Sequence, residues 1–180
     1  MNRLQGKVAV VTGSSSGIGK AIALRFGKEG AKVVVTARRL KLCEQTVAQI
    51  KTHGGEAWAI QTDVADERQV ERLIEESVEK YGRIDILVNN AGVSSMPVRT
   101  HELSIEEWDR IVSINLRGVF LCTRRALAMM LPAKKGAIVS IASIAGITGY
   151  YPGFPRLVSS YSAAKAGVAG FTLDRDQFFE

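Results

Sequence analysis

Cysteine is scarce in this 180-residue sequence: Cys43 and Cys122 are the only two, both in helical stretches and without metal-ligand spacing. Disulfides and a metal centre are therefore not expected, and buried or half-buried free thiols are. No apolar run approaches the ~20 residues of a membrane-spanning helix. Residues 1–6 have no signal-peptide character, so a cytoplasmic protein with no membrane contact is expected. Charge of one sign is not concentrated anywhere. Lysine and arginine outnumber aspartate and glutamate 24 to 18, a net charge of +6, but the charges are interspersed and no basic stripe carries aromatics. That pattern excludes the usual nucleic-acid footprint and suits an anionic small-molecule cofactor. Proline is rare, at four residues, and no internal repeat or low-complexity tract stands out. An apolar share of 46% is enough to build one well-cored domain.

What is present is alternation. Short apolar strands at Val8 to Thr12, Lys32 to Ala37, Glu56 to Gln61, Ile84 to Val88 and Ala137 to Ile141 are separated by helical patterns. The helices are expected at Lys20 to Lys28, Leu40 to Lys51, about Asp66 to Tyr81, Ser104 to about Met130, and Ser159 to at least Phe171. Asp66 with Gln69 and Ser104 with Glu107 have capping-box spacing. Strand–helix alternation from end to end implies an α/β fold with a parallel sheet.

The first unit is the most informative. Val8 to Thr12 reads as a strand buried on both faces, followed at once by Gly13, Gly17 and Gly19 and then a helix. Glycines let a backbone approach a ligand, and the free N–H groups opening a helix attract its negative charge, so this turn is a pyrophosphate-binding candidate. The spacing Gly-x-x-x-Gly-x-Gly differs from the common Gly-x-Gly-x-x-Gly fingerprint.

Eighteen residues beyond Gly19, at the end of the second strand, an acid that would read the ribose 2′-hydroxyl of NAD is missing. Ala37 is followed by Arg38 and Arg39, a pair suited to the 2′-phosphate of NADP. The other reading is that both arginines are solvated charges and NAD binds through other contacts. Asp63 and Asn89-Asn90-Ala91-Gly92 follow the third and fourth strands, the carboxyl edge where such sheets bind ligands. Each alone reads equally as a helix cap or a plain turn.

Tyr161 and Lys165, four apart on the last helix, share a face. An ammonium one turn away favours the phenolate and suits the pair to acid–base work; without further context it is an ordinary surface pair. Ser143 stands just past the fifth strand, where a hydroxyl can bond a substrate oxygen, whereas Ser140 falls inside the strand. Asn115 interrupts a stripe of Trp108, Ile111, Val112, Val119 and Cys122. It is either a satisfied core amide or one that holds a water behind the lysine, and it can disturb its helix locally.

Together, Thr12-Gly13-x-x-x-Gly17-Ile18-Gly19, Asp63, Asn89-Asn90-Ala91-Gly92, Asn115, Ser143 and Tyr161-x-x-x-Lys165 resemble the short-chain dehydrogenase/reductase family, from Leu4 to about Thr172. The resemblance implies a Rossmann-type, doubly wound parallel sheet of order 3-2-1-4-5 in three αβα layers. It also implies hydride transfer between NADP, or NAD, and a small ketone or secondary alcohol. Tyr161 would be the general acid or base, Lys165 would assist it and bind the nicotinamide ribose, Ser143 would orient substrate and Asn115 would support a proton relay. Gly13, Ser14, Ser16, Gly17, Ile18, Gly19, Arg38, Arg39, Asp63, Val64, Asn90, Ala91 and Gly92, with Tyr161 and Lys165, would hold the cofactor. Homo-oligomer contacts are implied for the helices at 104–130 and 159–172.

Two departures stand against the family pattern. Ser143 and Tyr161 are 18 positions apart, with extra length around Tyr150 to Leu157 at the expected substrate mouth. Family members also run longer, adding strands and a lid. The expectation is thus a family domain over 1–173, truncated at its C-terminal side, with an unlike, charged tail at 174–180. Its alternative function is a dinucleotide-binding module without turnover.

Overall fold

The computed structural model describes residues 2–94, 98–148 and 159–173. Five parallel strands, β1 (Val8–Thr12), β2 (Lys32–Ala37), β3 (Glu56–Gln61), β4 (Ile86–Asn89) and β5 (Ala137–Ser140), lie in the order β3-β2-β1-β4-β5. This is the doubly wound arrangement expected from the sequence.

The alternation of side chains explains the two cores. Ala9, Val11, Val33 and Val35 face Ala23 of α1 (Gly17–Lys28) and Cys43, Val47 and Ile50 of α2 (Leu40–Thr52). Val10, Val34 and Leu87 face Val70, Leu73 and Ile74 of α3 (Glu67–Tyr81) and Leu121, Cys122 and Ala126 of α5 (Gly118–Met130). A strand with both faces packed needs an unbroken apolar run, and all five residues of β1 are buried. Truncating Leu73 or Leu87 to alanine would cost about 2–5 kcal/mol. Both cysteines are free and buried, and burial raises the Cys122 thiol to about 12.

Several details differ from expectation, each for a local reason. β4 begins at Ile86 because Asp85 is diverted: its carboxylate accepts the Val8 N–H at 2.9 Å and pairs with Arg83 and Lys7. At α3, Asp66 caps as expected, accepting the N–H groups of Arg68 and Gln69. Gln69, however, turns its carbonyl oxygen to the Asp63 N–H at 2.9 Å instead of to Asp66 N–H. The Gln69 amide also donates to the Asp66 carboxylate, the main cause holding that carboxyl below its ordinary pKa.

The long helix expected from Ser104 to Met130 is three pieces: α4 (Ile105–Val112), a π-turn (Ser113–Arg117) and α5. The Gly118 N–H reaches back five residues to the Ser113 carbonyl. A π-turn inserts one residue and rotates the apolar stripe between α4 and α5. Ile111 and Cys122 are buried, while Trp108, expected on the same stripe, is 37% exposed. Within the expected loop after β5, residues Ala145–Thr148 form a short helix α6, started by the Ser143 hydroxyl accepting the Ala145 N–H at 3.2 Å. The last helix, α7, is Ser159–Leu173. The stretch 150–157 and the tail 174–180 lie outside the described residues, apart from which no helix is long and apolar enough to cross a membrane.

Candidate active site

The carboxyl ends of β1 to β4 open onto a cavity of about 560 Å³ lined by Gly13, Ser15, Ser16, Ala37, Arg38, Arg39, Thr62, Asp63, Val64, Ala91, Gly92, Val93 and Ile114. Eight of the residues expected from the sequence to hold a cofactor (Gly13, Ser16, Arg38, Arg39, Asp63, Val64, Ala91 and Gly92) therefore meet at one wall. The glycine turn is built tightly against β4's loop. Gly13 has φ +64°, and a Cβ there would stand 2.7 Å from Ala91 Cα; one on Gly19 would stand 2.5 Å from the Gly13 carbonyl oxygen. Both positions exclude a side chain.

Asn90 and Thr12 hold this arrangement. The Asn90 amide donates to the carbonyls of Thr12 and Gly13 at 2.9 and 3.2 Å. The Thr12 hydroxyl accepts the N–H groups of Asn90 and Ala91, each at 3.0 Å, and donates to Val88 O at 3.2 Å. Asn90 therefore acts as a brace behind the cavity. Ser14 is placed in the same way: fully buried, it donates to Val11 O at 2.6 Å and accepts Thr36 N–H at 3.0 Å, so its hydroxyl stitches β1 to β2 and does not line the cavity. Ile18 is 64% exposed on the first turn of α1 and also lies off the lining.

At the basic end, Arg39 donates to the Ser16 hydroxyl at 3.2 Å, and the Gln61 amide donates to the Arg38 carbonyl at 2.9 Å. Neither α1 nor α2 has a side-chain cap or an acid in its first turn. Two partially positive helix ends and two guanidinium groups thus gather at one opening. Asp63, the acid of the lining, accepts the Ala65 N–H at 3.0 Å.

The inner end joins residues from four segments. A methyl placed on Gly92 would stand 2.9 Å from Asn115 Oδ1 and 3.8 Å from Lys165 Nζ. Lys165 is 5% exposed and donates to the carbonyl of Ile141, just past β5, at 2.6 Å. Burial holds its pKa below the ordinary lysine value. Its Nζ lies 5.8 Å from the centre of the half-buried Tyr161 ring. α6 packs on this helix so closely that a Cβ on Gly146 would stand 2.6 Å from Ala166 N, and Ser143 stands two residues before α6, capping it. Ser140 is engaged elsewhere, accepting from Asn89 at 3.5 Å.

Asn115 sits in the middle of the π-turn, fully buried. Both polar atoms of its amide are engaged: Oδ1 accepts Val93 N–H and Nδ2 donates to Val93 O, both at 2.8 Å. Four lining residues were not anticipated: Ser15, Thr62, Val93 and Ile114. Ser15 falls inside the glycine turn and could have been read from it. The other three are placed by loop closure and helix phase, which carry no local sequence signal. Among the described residues, no cluster of His, Cys, Asp and Glu could hold a metal ion.

The comparisons agree with this geometry. A model of the short chain dehydrogenase family matches residues 7–177. A Synechocystis protein named 3-oxoacyl-[acyl-carrier-protein] reductase is 45% identical over 173 residues, covering 96% of this chain and 68% of that protein. An actinorhodin polyketide ketoreductase solved with NADPH superposes with a TM-score of 0.86 at 42% identity, covering 92% of this chain and 62% of that one. An NAD+-bound xylitol dehydrogenase superposes at 0.89 with 29% identity, covering 94% and 64%. The chain spans about two thirds of the length of the relatives it matches. On the family match, the sheet order and the residues gathered at its carboxyl edge, the chain belongs to the short chain dehydrogenase family of NAD(P)-dependent oxidoreductases.

Proposed function

We propose that this protein binds NADP(H) and interconverts a small ketone and a secondary alcohol, with Tyr161 as general acid or base. The observation that carries the reading is the meeting of Gly92, Asn115 and Lys165 at the inner end of a cavity whose outer end bears Arg38 and Arg39.

The residues present fit a dinucleotide. Glycine turn and uncapped α1 would receive the pyrophosphate through backbone N–H groups. Arg38 and Arg39 would meet a 2′-phosphate, and Asp63, Val64 and Ile114 would flank the adenosine. The nicotinamide supplies or accepts the hydride. Lys165 spends one N–H on Ile141 and keeps the others for a ribose hydroxyl, while its charge faces the Tyr161 ring. Tyr161 gives or takes the proton at the substrate oxygen. The Ser143 oxygen accepts Ala145 N–H, so its own O–H remains free to donate to that oxygen. Asn115 keeps Val93 and Gly92 in place beside Lys165. We further place the protein in the cytoplasm as a homo-oligomer, docking through the α4–α5 and α7 helices. Trp108, Phe120 and Met129 are 37–44% exposed there, and Phe120 and Phe171 meet edge to face at 6.2 Å.

The test is NADPH fluorescence on binding, followed by loss of NADPH absorbance with a panel of ketones. Tyr161→Phe is expected to abolish turnover and spare binding; an unchanged rate in that variant removes the assigned role. Binding without turnover on every ketone favours the alternative of a dinucleotide-binding module.

A further inference from the structure

A π-turn is a strained way to continue a helix and needs tertiary contacts to persist. Ser113–Arg117 has them on two sides. On one side Asn115 is bonded at both ends to Val93, which lines the cavity with Gly92. On the other side stands the β3–α3 turn, whose Asp63 and Val64 line the same cavity. Gly118 lies so close to that turn that a Cβ would be 2.8 Å from Val64 Cγ2, and Arg117 Nη1 donates to the Ala65 carbonyl at 2.8 Å. Ala65 is itself held by the Asp63 carboxylate at 3.0 Å.

We propose that Arg117 is a positioning residue: its bond to Ala65 fixes the π-turn, and with it Asn115, relative to the Asp63–Val64 wall of the cleft. The inference rests on the dinucleotide reading of that cleft. Arg117 is not a core strut, since its side chain is 48% exposed. Its other partner, Glu67 at 3.7 Å, is 46% exposed and shared with Arg124 at 3.2 Å. An exposed pair of this kind adds little by itself, which leaves the carbonyl bond as the working contact. One guanidinium thus joins the wall that would receive the adenosine to the turn that holds Val93 beside Lys165.

The experiment compares Arg117→Met, Arg117→Lys and Glu67→Gln with the unaltered protein. Three quantities are read: melting temperature, amide hydrogen exchange at Val93, and the affinity for ADP measured by competition with NADPH fluorescence. Arg117→Met is expected to weaken ADP binding about threefold to tenfold. It is also expected to speed Val93 exchange about tenfold, with exchange in β1 unaltered. Arg117→Lys should restore part of both, and Glu67→Gln should alter neither. Val93 exchange and ADP affinity unchanged in Arg117→Met overturn the proposal, as does a loss shared equally with β1. If the unaltered protein binds no ADP or NADPH, the dinucleotide reading fails, and Val93 exchange alone still decides whether Arg117 fixes the turn.

Discussion

Asn115 and Val93 are paired like two bases: the amide oxygen takes the Val93 N–H and the amide nitrogen gives to the Val93 carbonyl, both at 2.8 Å. Asn115 is fully buried in the centre of the π-turn, and Val93 is half-buried. Asn115→Ala leaves the Val93 N–H and C=O without these partners and should lower stability by about 2 kcal/mol. Urea unfolding measures this, and Asn115→Ala unfolding at the parent midpoint would show the pairing to be energetically idle.

Arg38 and Arg39 make an expected preference for NADPH over NADH. Charge-assisted bonds to a phosphate are roughly twice as strong as neutral ones. Arg39→Ala, which also frees Ser16, should lower the affinity ratio by about tenfold, and Arg38→Ala should lower it in the same direction. Fluorescence titration with both nucleotides reads the ratio; a ratio untouched in both variants assigns the arginines to solvent.

Gly17 and Gly19 should respond differently to alanine. Gly17 has φ +57° and open space around its Cβ position, so Gly17→Ala meets only the left-handed backbone cost, about 1–2 kcal/mol. At Gly19 the added methyl runs into the Asn90 amide and the Gly13 carbonyl. Gly19→Ala should therefore displace the turn and abolish nucleotide binding, with the larger fall in melting temperature.

Glu29 is a pH-sensitive clamp on the N-terminal segment. The Arg3 backbone N–H, and then the Arg25 guanidinium at 2.6 Å, lower its pKa from 4.5 to about 2. A depressed carboxyl stabilises the fold above its unfolded pKa, and that contribution fades as pH falls from about 4.5 toward 2. Glu29→Gln should lower stability at pH 7 and flatten the acid limb in that window. Urea midpoints from pH 7 to pH 2 test it, and parallel acid limbs for the two proteins would refute it.

The sheet was legible because buried parallel strands announce themselves: β1, β2 and β3 lie where apolar runs end at glycine, arginine or aspartate. The nearness of Lys165 to the Tyr161 ring follows from their four-residue spacing on one helix, but spacing alone assigned a role neither to that pair nor to the glycine turn. What escaped was three-dimensional bookkeeping. The disturbance at Asn115 could be anticipated from its chemistry, but not that it would take the form of a π-turn. Ser14 looks identical in sequence to Ser15 and Ser16, yet strand geometry sends its hydroxyl inward to Val11 and Thr36. The fourth strand, expected from Ile84, begins at Ile86, with the Asp85 carboxylate taking the Val8 N–H.

The brace from Asn90 to the glycine turn has a kinetic consequence. With the Gly13 carbonyl already tied down and Arg39 already lodged on Ser16, a polyanion arriving at this mouth finds nothing to rearrange. Capture should then be governed by encounter, and added salt should slow arrival far more than it hastens departure.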